Sequence, residues 1–244
     1  MSGFDQNGGE LEGCPPEAIL EWTYRTYRRV AIVASFQAES SVLIHMAANI
    51  VELPEVLTLD TGRLPEETHQ VIDRIRQRYA IRLHVQAPDP GEVAEMVAAH
   101  GPNLFRRSVD LRIHCCDVRK VRPLAAALDG FDAWVTGLRR DQSEARRQTP
   151  VVQADRIHGG IAKVAPLAGW SRDQVWAYVR THRLEYHELF DHGYRSIGCA
   201  PCTRAVGPDE DERAGRWWWE ASTVKECGLH GTGIGLARAG SSER

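Results

Sequence analysis

A repeating order of short apolar run, polar loop and helical pattern constrains this chain more than any other feature. Val30-Ala31-Ile32-Val33-Ala34 is a continuous apolar run of strand length; it leads through Ser35-Phe36-Gln37-Ala38-Glu39-Ser40-Ser41 into an apolar helical pattern ending near Ile50. Val56 to Leu59 repeats the strand signal and stops at Asp60-Thr61-Gly62, after which Pro65-Glu66-Glu67 opens an amphipathic helix reaching about Tyr79. Ile81 to Val85 predicts a third strand. Helical stretches near 91–100 and 118–128 precede a strand at Ala133 to Thr136, and an apolar segment at 161–167 precedes a helix at 172–182. Such alternation predicts an α/β fold with a mostly parallel sheet, helices on both faces, and ligands outside the carboxyl ends of the strands.

With 244 residues, 43% of them hydrophobic, the chain can bury one substantial core, so a single domain is expected. Residues 1–14 are polar and glycine-rich and read as a mobile arm; Pro15-Pro16 opens the first helix, which includes Ile19, Leu20 and Trp22. Residues 15–216 form the expected domain. Residues 217–244 form a C-terminal segment with Trp217-Trp218-Trp219 and glycines at 228, 231, 233 and 235, expected to move. No apolar run approaches the roughly 20 residues of a membrane helix, and the N-terminus lacks the order of a signal peptide. A soluble cytoplasmic protein is therefore expected, with no membrane partner. The net charge of −3 argues against nucleic acid, whereas local arginine clusters at 139–147 and 204–216 suit a small anion.

Six cysteines without export point to metal or redox chemistry rather than a disulfide framework. Cys115-Cys116 together with Cys199-Ala200-Pro201-Cys202 offers four thiolates, the usual ligand set of a 4Fe-4S cluster or a structural zinc. Adjacent cysteines meet one cluster only if the backbone turns both side chains the same way, and ordinary zinc sites rarely use adjacent ligands. Buried structural thiols are the plain alternative. Cys227, in Lys225-Glu226-Cys227-Gly228-Leu229-His230, stands apart at the start of the glycine-rich tail and reads as a mobile nucleophile. Glu226 beside it disfavours the thiolate, so positive charge from Arg213, Arg216 or a bound partner would be needed. An idle exposed thiol is the alternative.

The remaining candidates are loops after strands. Residues 35–41 form a strand-to-helix turn, where free N–H groups and the helix dipole favour phosphate, although the glycines and lysine of a P-loop are missing. Leu59-Asp60-Thr61-Gly62 could read an adenine edge or ribose, or be a plain turn. Gly137-Leu138-Arg139-Arg140-Asp141-Gln142-Ser143 with Arg146 and Arg147 offers planar forks suited to phosphate or sulfate, or simply solvated arginines. Arg119 and Lys120 follow the cysteine pair within a turn, so their charges lie near any cluster and could reach a substrate anion. The three tryptophans read as packing residues.

Taken together, Ser-Phe-Gln-Ala-Glu-Ser at 35–40, Leu-Asp-Thr-Gly at 59–62, Cys-Cys-x-x-Arg-Lys at 115–120, Gly-Leu-Arg-Arg-Asp-Gln-Ser at 137–143, Gly198-Cys-Ala-Pro-Cys and Lys225-Glu-Cys-Gly-Leu-His resemble the adenylylsulfate reductase family. The resemblance spans about residues 30–230. It implies a Rossmann-like, adenine nucleotide α-hydrolase-like domain, a 4Fe-4S cluster on Cys115, Cys116, Cys199 and Cys202, and Cys227 as the catalytic residue. It also implies a substrate held by Ser35, Phe36, Gln37, Ser40, Leu59, Asp60, Gly62, Arg119, Lys120, Gly137, Arg139, Arg147, Arg213 and Arg216. The implied reaction reduces adenosine 5′-phosphosulfate to sulfite and AMP through a Cys227 S-sulfonate, with separate thioredoxin as reductant, in sulfate assimilation and cysteine biosynthesis. A homo-oligomer is expected. The alternatives are a reductase of the 3′-phosphorylated substrate or of both substrates, a tRNA-thiolating ATP-pyrophosphatase, whose first-loop Ser-Gly-Gly-x-Asp-Ser is absent at 35–41, and a non-catalytic nucleotide-binding module with structural zinc.

Overall fold

The computed structural model describes residues 9–220, 226, 228 and 229. Helix α1 (Pro16–Thr26) is followed by β1 (Val30–Val33), α2 (Ala38–Ala48), β2 (Glu55–Leu59), α3 (Glu66–Arg78), β3 (Arg82–Gln86) and α4 (Pro90–His100). After these come α5 (Val109–Cys116), a π turn at Asp117–Val121, α6 (Arg122–Ala127), β4 (Ala133–Thr136), β5 (Val152–Asp155), β6 (Ile161–Val164) and α7 (Arg172–His182). The six strands run in the order β3-β2-β1-β4-β6-β5, and only β5, on β6, is antiparallel. This is the α/β architecture the alternating pattern predicts.

The strands alternate their side chains between two cores, as a period of two requires. Val30 and Ile32 of β1, Val56 of β2, and Ala133 and Val135 of β4 face one core, closed by α1, α2, α3 and α7 through Leu20, Leu43, Val71 and Val175. Ala31, Leu57 and Trp134 face the other, covered by Leu124 of α6 and Leu128 just beyond it. Outside that second layer, α4, α5 and the segment around residue 200 enclose a small third cluster that holds all four paired cysteines.

Two elements differ from expectation. Helix α5, which carries Cys115 and Cys116, lies where the sequence shows no clear period: Val109 and Ile113 are exposed, while Arg112 is buried. Strand β5 has only four residues and sits at the sheet edge, so it lacks the continuous apolar run of the central strands. Residues 9–14, within the stretch read as an arm, lie against the body. Leu11 joins the main core, and the Glu12 carboxylate accepts from Arg140 at 2.7 and 2.8 Å.

One packing detail carries a pH dependence. His187, fully buried, pairs through Nε2 with the Thr68 hydroxyl of α3 at 2.9 Å, while its Nδ1 accepts from the Leu189 N–H at 3.3 Å. The backbone donor fixes the neutral tautomer. Burial, helped by Arg74 and opposed by Glu67, pushes the imidazole down to about 4. The unfolded chain protonates near 6.5 and the folded chain only near 4, so this contribution is complete above pH 6.5 and is lost as pH falls through that window. It amounts to about 3 kcal/mol at most. Urea midpoints recorded from pH 7 to pH 4 should fall steeply for the native chain and more gently for His187→Gln; parallel profiles would reject the assignment.

Candidate active site

At the carboxyl ends of β1, β2 and β4 the chain leaves the sheet in three loops, and β1 has neighbours reached by crossovers on both sides. A parallel sheet opens a crevice there because successive connections diverge to opposite faces. The crevice is a cavity of about 170 Å³. Ser35, Gln37 and Ser40 line it from the β1 loop, Leu59 and Thr61 from the β2 loop, and Gly137, Leu138, Gln142 and Arg146 from the β4 side. Lys120, Ser196, Gly198, Glu212, Arg213, Arg216 and Leu229 also line it.

Hydrogen bonds give the first loop a set shape. The Ser35 N–H donates to Ser40 Oγ at 3.1 Å, Gln37 Nε2 donates to Ser35 Oγ at 3.0 Å, and Gln37 Oε1 accepts from the Ile197 N–H at 2.7 Å. Gln37 is the N-cap of α2 and supplies no side-chain cap, and Gln37, Glu39 and Ser40 at the start of that helix line the cavity, a helix end whose N–H groups and dipole suit an anion. Phe36 is entirely buried with a φ of 54°, so its ring anchors the loop from the core side. In the second loop, Asp60 Oδ1 accepts from the Gly62 N–H at 2.8 Å and shapes the turn, and Gly62 has a φ of 67° that favours glycine. Arg119 is buried and donates to the Thr61 carbonyl at 2.6 Å, bracing the same turn.

The arginines after β4 divide into three roles. Arg139 is 1% exposed and spends its guanidinium on Glu39, Asp141 and both oxygens of Glu212, so it organises the cavity wall without reaching in. Arg147 points to solvent and pairs with Glu144. Arg146, its neighbour, is the one that lines the cavity. Arg146 donates to both carboxylate oxygens of Glu226 at 2.9 and 2.8 Å, and Arg213 reaches the same carboxylate at 3.4 Å. Burial acts to raise the Glu226 carboxyl, but Arg146 and Arg213 outweigh it and hold the group below its usual range. Arg216 is buried beside Gly198, contacts Ser196 Oγ at 3.5 Å and the Ile197 carbonyl at 3.4 Å, and stacks over Trp217.

Next to the cavity lies the cysteine cluster. Cys115 and Cys116 end α5, and Cys199 and Cys202 bracket the short helical turn Ala200–Cys202; all four are buried among Met96, Leu104, Phe105, Val118 and Trp217. Cys199 Sγ lies 3.3 Å from the Thr61 hydroxyl. Burial pushes the Cys115 thiol up and, reinforced by Cys199, drives Cys202 up to about 12. At Cys199 the same burial is outweighed by the Lys120 ammonium, the Thr61 hydroxyl and Arg216, so its thiol is lowered. Lys120 acts on Cys115, Cys199 and Cys202 alike and also lines the cavity. Among the described residues no group of three or more His, Cys, Asp or Glu side chains is arranged to hold a metal ion. The donor set nevertheless suits a bound anionic iron–sulfur group: four sulfurs in one apolar nest, faced by Lys120, Arg119 and Arg216 as compensating charge.

Of the residues expected to meet a ligand, Ser35, Gln37, Ser40, Leu59, Lys120, Gly137, Arg213 and Arg216 line the cavity. Phe36, Asp60, Gly62, Arg119 and Arg139 shape its walls. Cys227 lies outside the described residues, though Glu226, Gly228 and Leu229 around it lie within them. Sequence reasoning did not single out Glu212 or Ser196, neither of which carries a local motif, and it read Leu229 only as part of the motif around Cys227.

Residues 29–205 match the family described as Phosphoadenosine phosphosulfate reductase domain. The chain is 46% identical over 213 residues to an adenosine 5′-phosphosulfate reductase of Allochromatium vinosum, covering 87% of this chain and 82% of that protein. It is 44% identical over 218 residues to one of Burkholderia cepacia, covering 89% and 87%. Among solved structures it is similar to phosphoadenylyl-sulfate (PAPS) reductase from Candida auris in a phosphate complex, at 27% identity and a TM-score of 0.71, over 84% of this chain and 98% of that one.

Proposed function

This chain belongs to the phosphoadenosine phosphosulfate reductase family, and from that premise we propose that it is an oxidoreductase that converts adenosine 5′-phosphosulfate to sulfite and AMP. One observation carries the reading: a cavity at the carboxyl ends of three parallel strands gathers Lys120, Arg146, Arg213 and Arg216, and Lys120 is shared with a buried four-cysteine nest. The names of the bacterial relatives support the non-phosphorylated substrate.

In this mechanism the anionic end of the substrate meets Lys120 and Arg216, while Arg146 and Arg213 border it from their pairing with Glu226, and α2 directs its N-terminus at the phosphate. The Cys227 thiolate attacks the sulfate sulfur, the bond from that sulfur to the phosphoryl oxygen breaks, and AMP departs with the oxygen. Negative charge grows on the sulfate oxygens as the thiolate approaches, so donors that tighten then lower the barrier more than they strengthen binding. A dithiol reductant, thioredoxin in this proposal, attacks Cys227 Sγ and expels sulfite; its second thiol then resolves the mixed disulfide and returns Cys227 as thiolate. Cys115, Cys116, Cys199 and Cys202 would hold a 4Fe-4S cluster, which when bound supplies a fixed anionic neighbour for Lys120 and a brace between α5 and the 199–202 turn.

The test is anaerobic incubation with sulfur-35-labelled adenosine 5′-phosphosulfate without reductant. Covalent label on the native chain, absent in Cys227→Ser and released as sulfite by thioredoxin, is the expected result. The Candida auris neighbour supports a second reading, reduction of the 3′-phosphorylated substrate, and label from that compound alone would select it. No label from either sinks the nucleophile.

A further inference from the structure

Glu226 stands beside the proposed nucleophile, yet its carboxylate is spent on the cavity's own cations. Arg146 grips both of its oxygens and Arg213 reaches one, in a pair shielded from solvent on both sides. Arg112 adds a second fastening. This arginine of α5 is buried, stacks on Trp217 at 4.6 Å, donates to both oxygens of Glu220 at 2.9 and 3.1 Å, and donates to the Glu226 carbonyl at 2.7 Å. One guanidinium thus ties both ends of the stretch from 220 to 226 to the helix that carries the cysteine pair. Beyond it, Gly228 takes a φ of 87° near Val121, and Leu229 packs against the core cluster that includes Leu124 and lines the cavity.

We propose that Glu226 is a positioning residue whose carboxylate, clamped by Arg146 and Arg213, latches the main chain at 226 onto the cavity rim and so sets the reach of the neighbouring Cys227. This rests on the reading of Cys227 as nucleophile. A carboxylate on cationic forks could instead be a resident competitor for the substrate anion. The Arg112 bond to the Glu226 backbone favours the latch, because a competitor needs only its charge, whereas a latch must hold the main chain.

Glu226→Gln keeps the size and one acceptor but loses the charge that makes the paired bonds strong. In single-turnover labelling, Glu226→Gln should S-sulfonate Cys227 at least about tenfold more slowly, with substrate dissociation constants within about threefold of native, and Glu226→Asp should recover part of the rate. Hydrogen exchange in peptides covering residues 220–229 should quicken by about tenfold or more in the Gln variant without substrate. Unchanged labelling with tighter substrate binding would overturn the latch in favour of a competing anion, and unchanged exchange would overturn it outright. If the native chain takes no label, the nucleophile reading fails, while the exchange comparison still judges the latch.

Discussion

Gly198→Ala should lower kcat/KM by about two orders of magnitude while lowering the thermal midpoint by only about a few degrees. A Cβ built on Gly198 falls 2.3 Å from Arg216 Nη2 and 2.6 Å from Cζ, distances that real methyl groups do not occupy. The usual escape, swinging a flexible side chain into water, is closed: Arg216 is buried, stacks on Trp217 at 4.7 Å, and lies against the Ile197 carbonyl. The guanidinium must therefore leave its place on the cavity rim, or the Gly198-Cys199 backbone must shift. Losing one positioned donor to a developing anion costs about a hundredfold or more. The glycine lies outside the sheet, so the fold should survive, and calorimetry beside steady-state kinetics separates the two effects. Activity within about threefold of native would mean that Arg216 does not act from this position.

Cys199→Ser should cost the anaerobically purified protein nearly all of its bound iron and sulfide. Cys199 is better prepared for ligation than Cys115 or Cys202: Lys120, the Thr61 hydroxyl and Arg216 lower its thiol, while burial pushes those of Cys115 and Cys202 up. Serine preserves the hydrogen bond to Thr61 but offers a harder, more basic oxygen that binds iron–sulfur groups poorly. Iron and acid-labile sulfide assays with the visible spectrum measure the loss. Cys14→Ser, on a cysteine near Glu10 and outside the nest, serves as the control and should retain its iron. Equal iron in both variants would remove the cluster from the proposal.

How far the sequence could be read depended on whether a residue's role is local. Strand β4 and helix α7 fall where the pattern puts them, because an apolar run or a 3.6-residue period is written in consecutive residues. Helix α5 hides its period because its inward face is Arg112 and two cysteines, residues that periodicity does not count as core. Arg146 and Arg147 are neighbours, and no local signal says which turns inward; a one-residue step on a short helical turn sends one to Glu226 and the other to solvent. Arg139 read as a ligand fork because its three carboxylate partners come from residues 39, 141 and 212. Gln37 and Lys120 were legible because the strand end and the cysteine pair beside them fix their surroundings. The Arg112 contacts to Glu220 and Glu226 span more than a hundred residues, a separation that pattern reading does not bridge.

The π turn at Asp117–Val121 gears two kinds of chemistry together. A helix that takes an extra residue in one turn resumes normal winding afterwards, but everything beyond is rotated by roughly 100° relative to what came before. Cys115 and Cys116 precede that step, Lys120 lies inside it, and α6, which supplies the cavity's apolar wall, follows it. The angle between the sulfur nest and the cavity is thus set by the length of one turn of backbone more than by the side chains on it. Shortening that turn by a residue would keep every functional group in the chain and turn the ammonium out of register with both of the sites it serves.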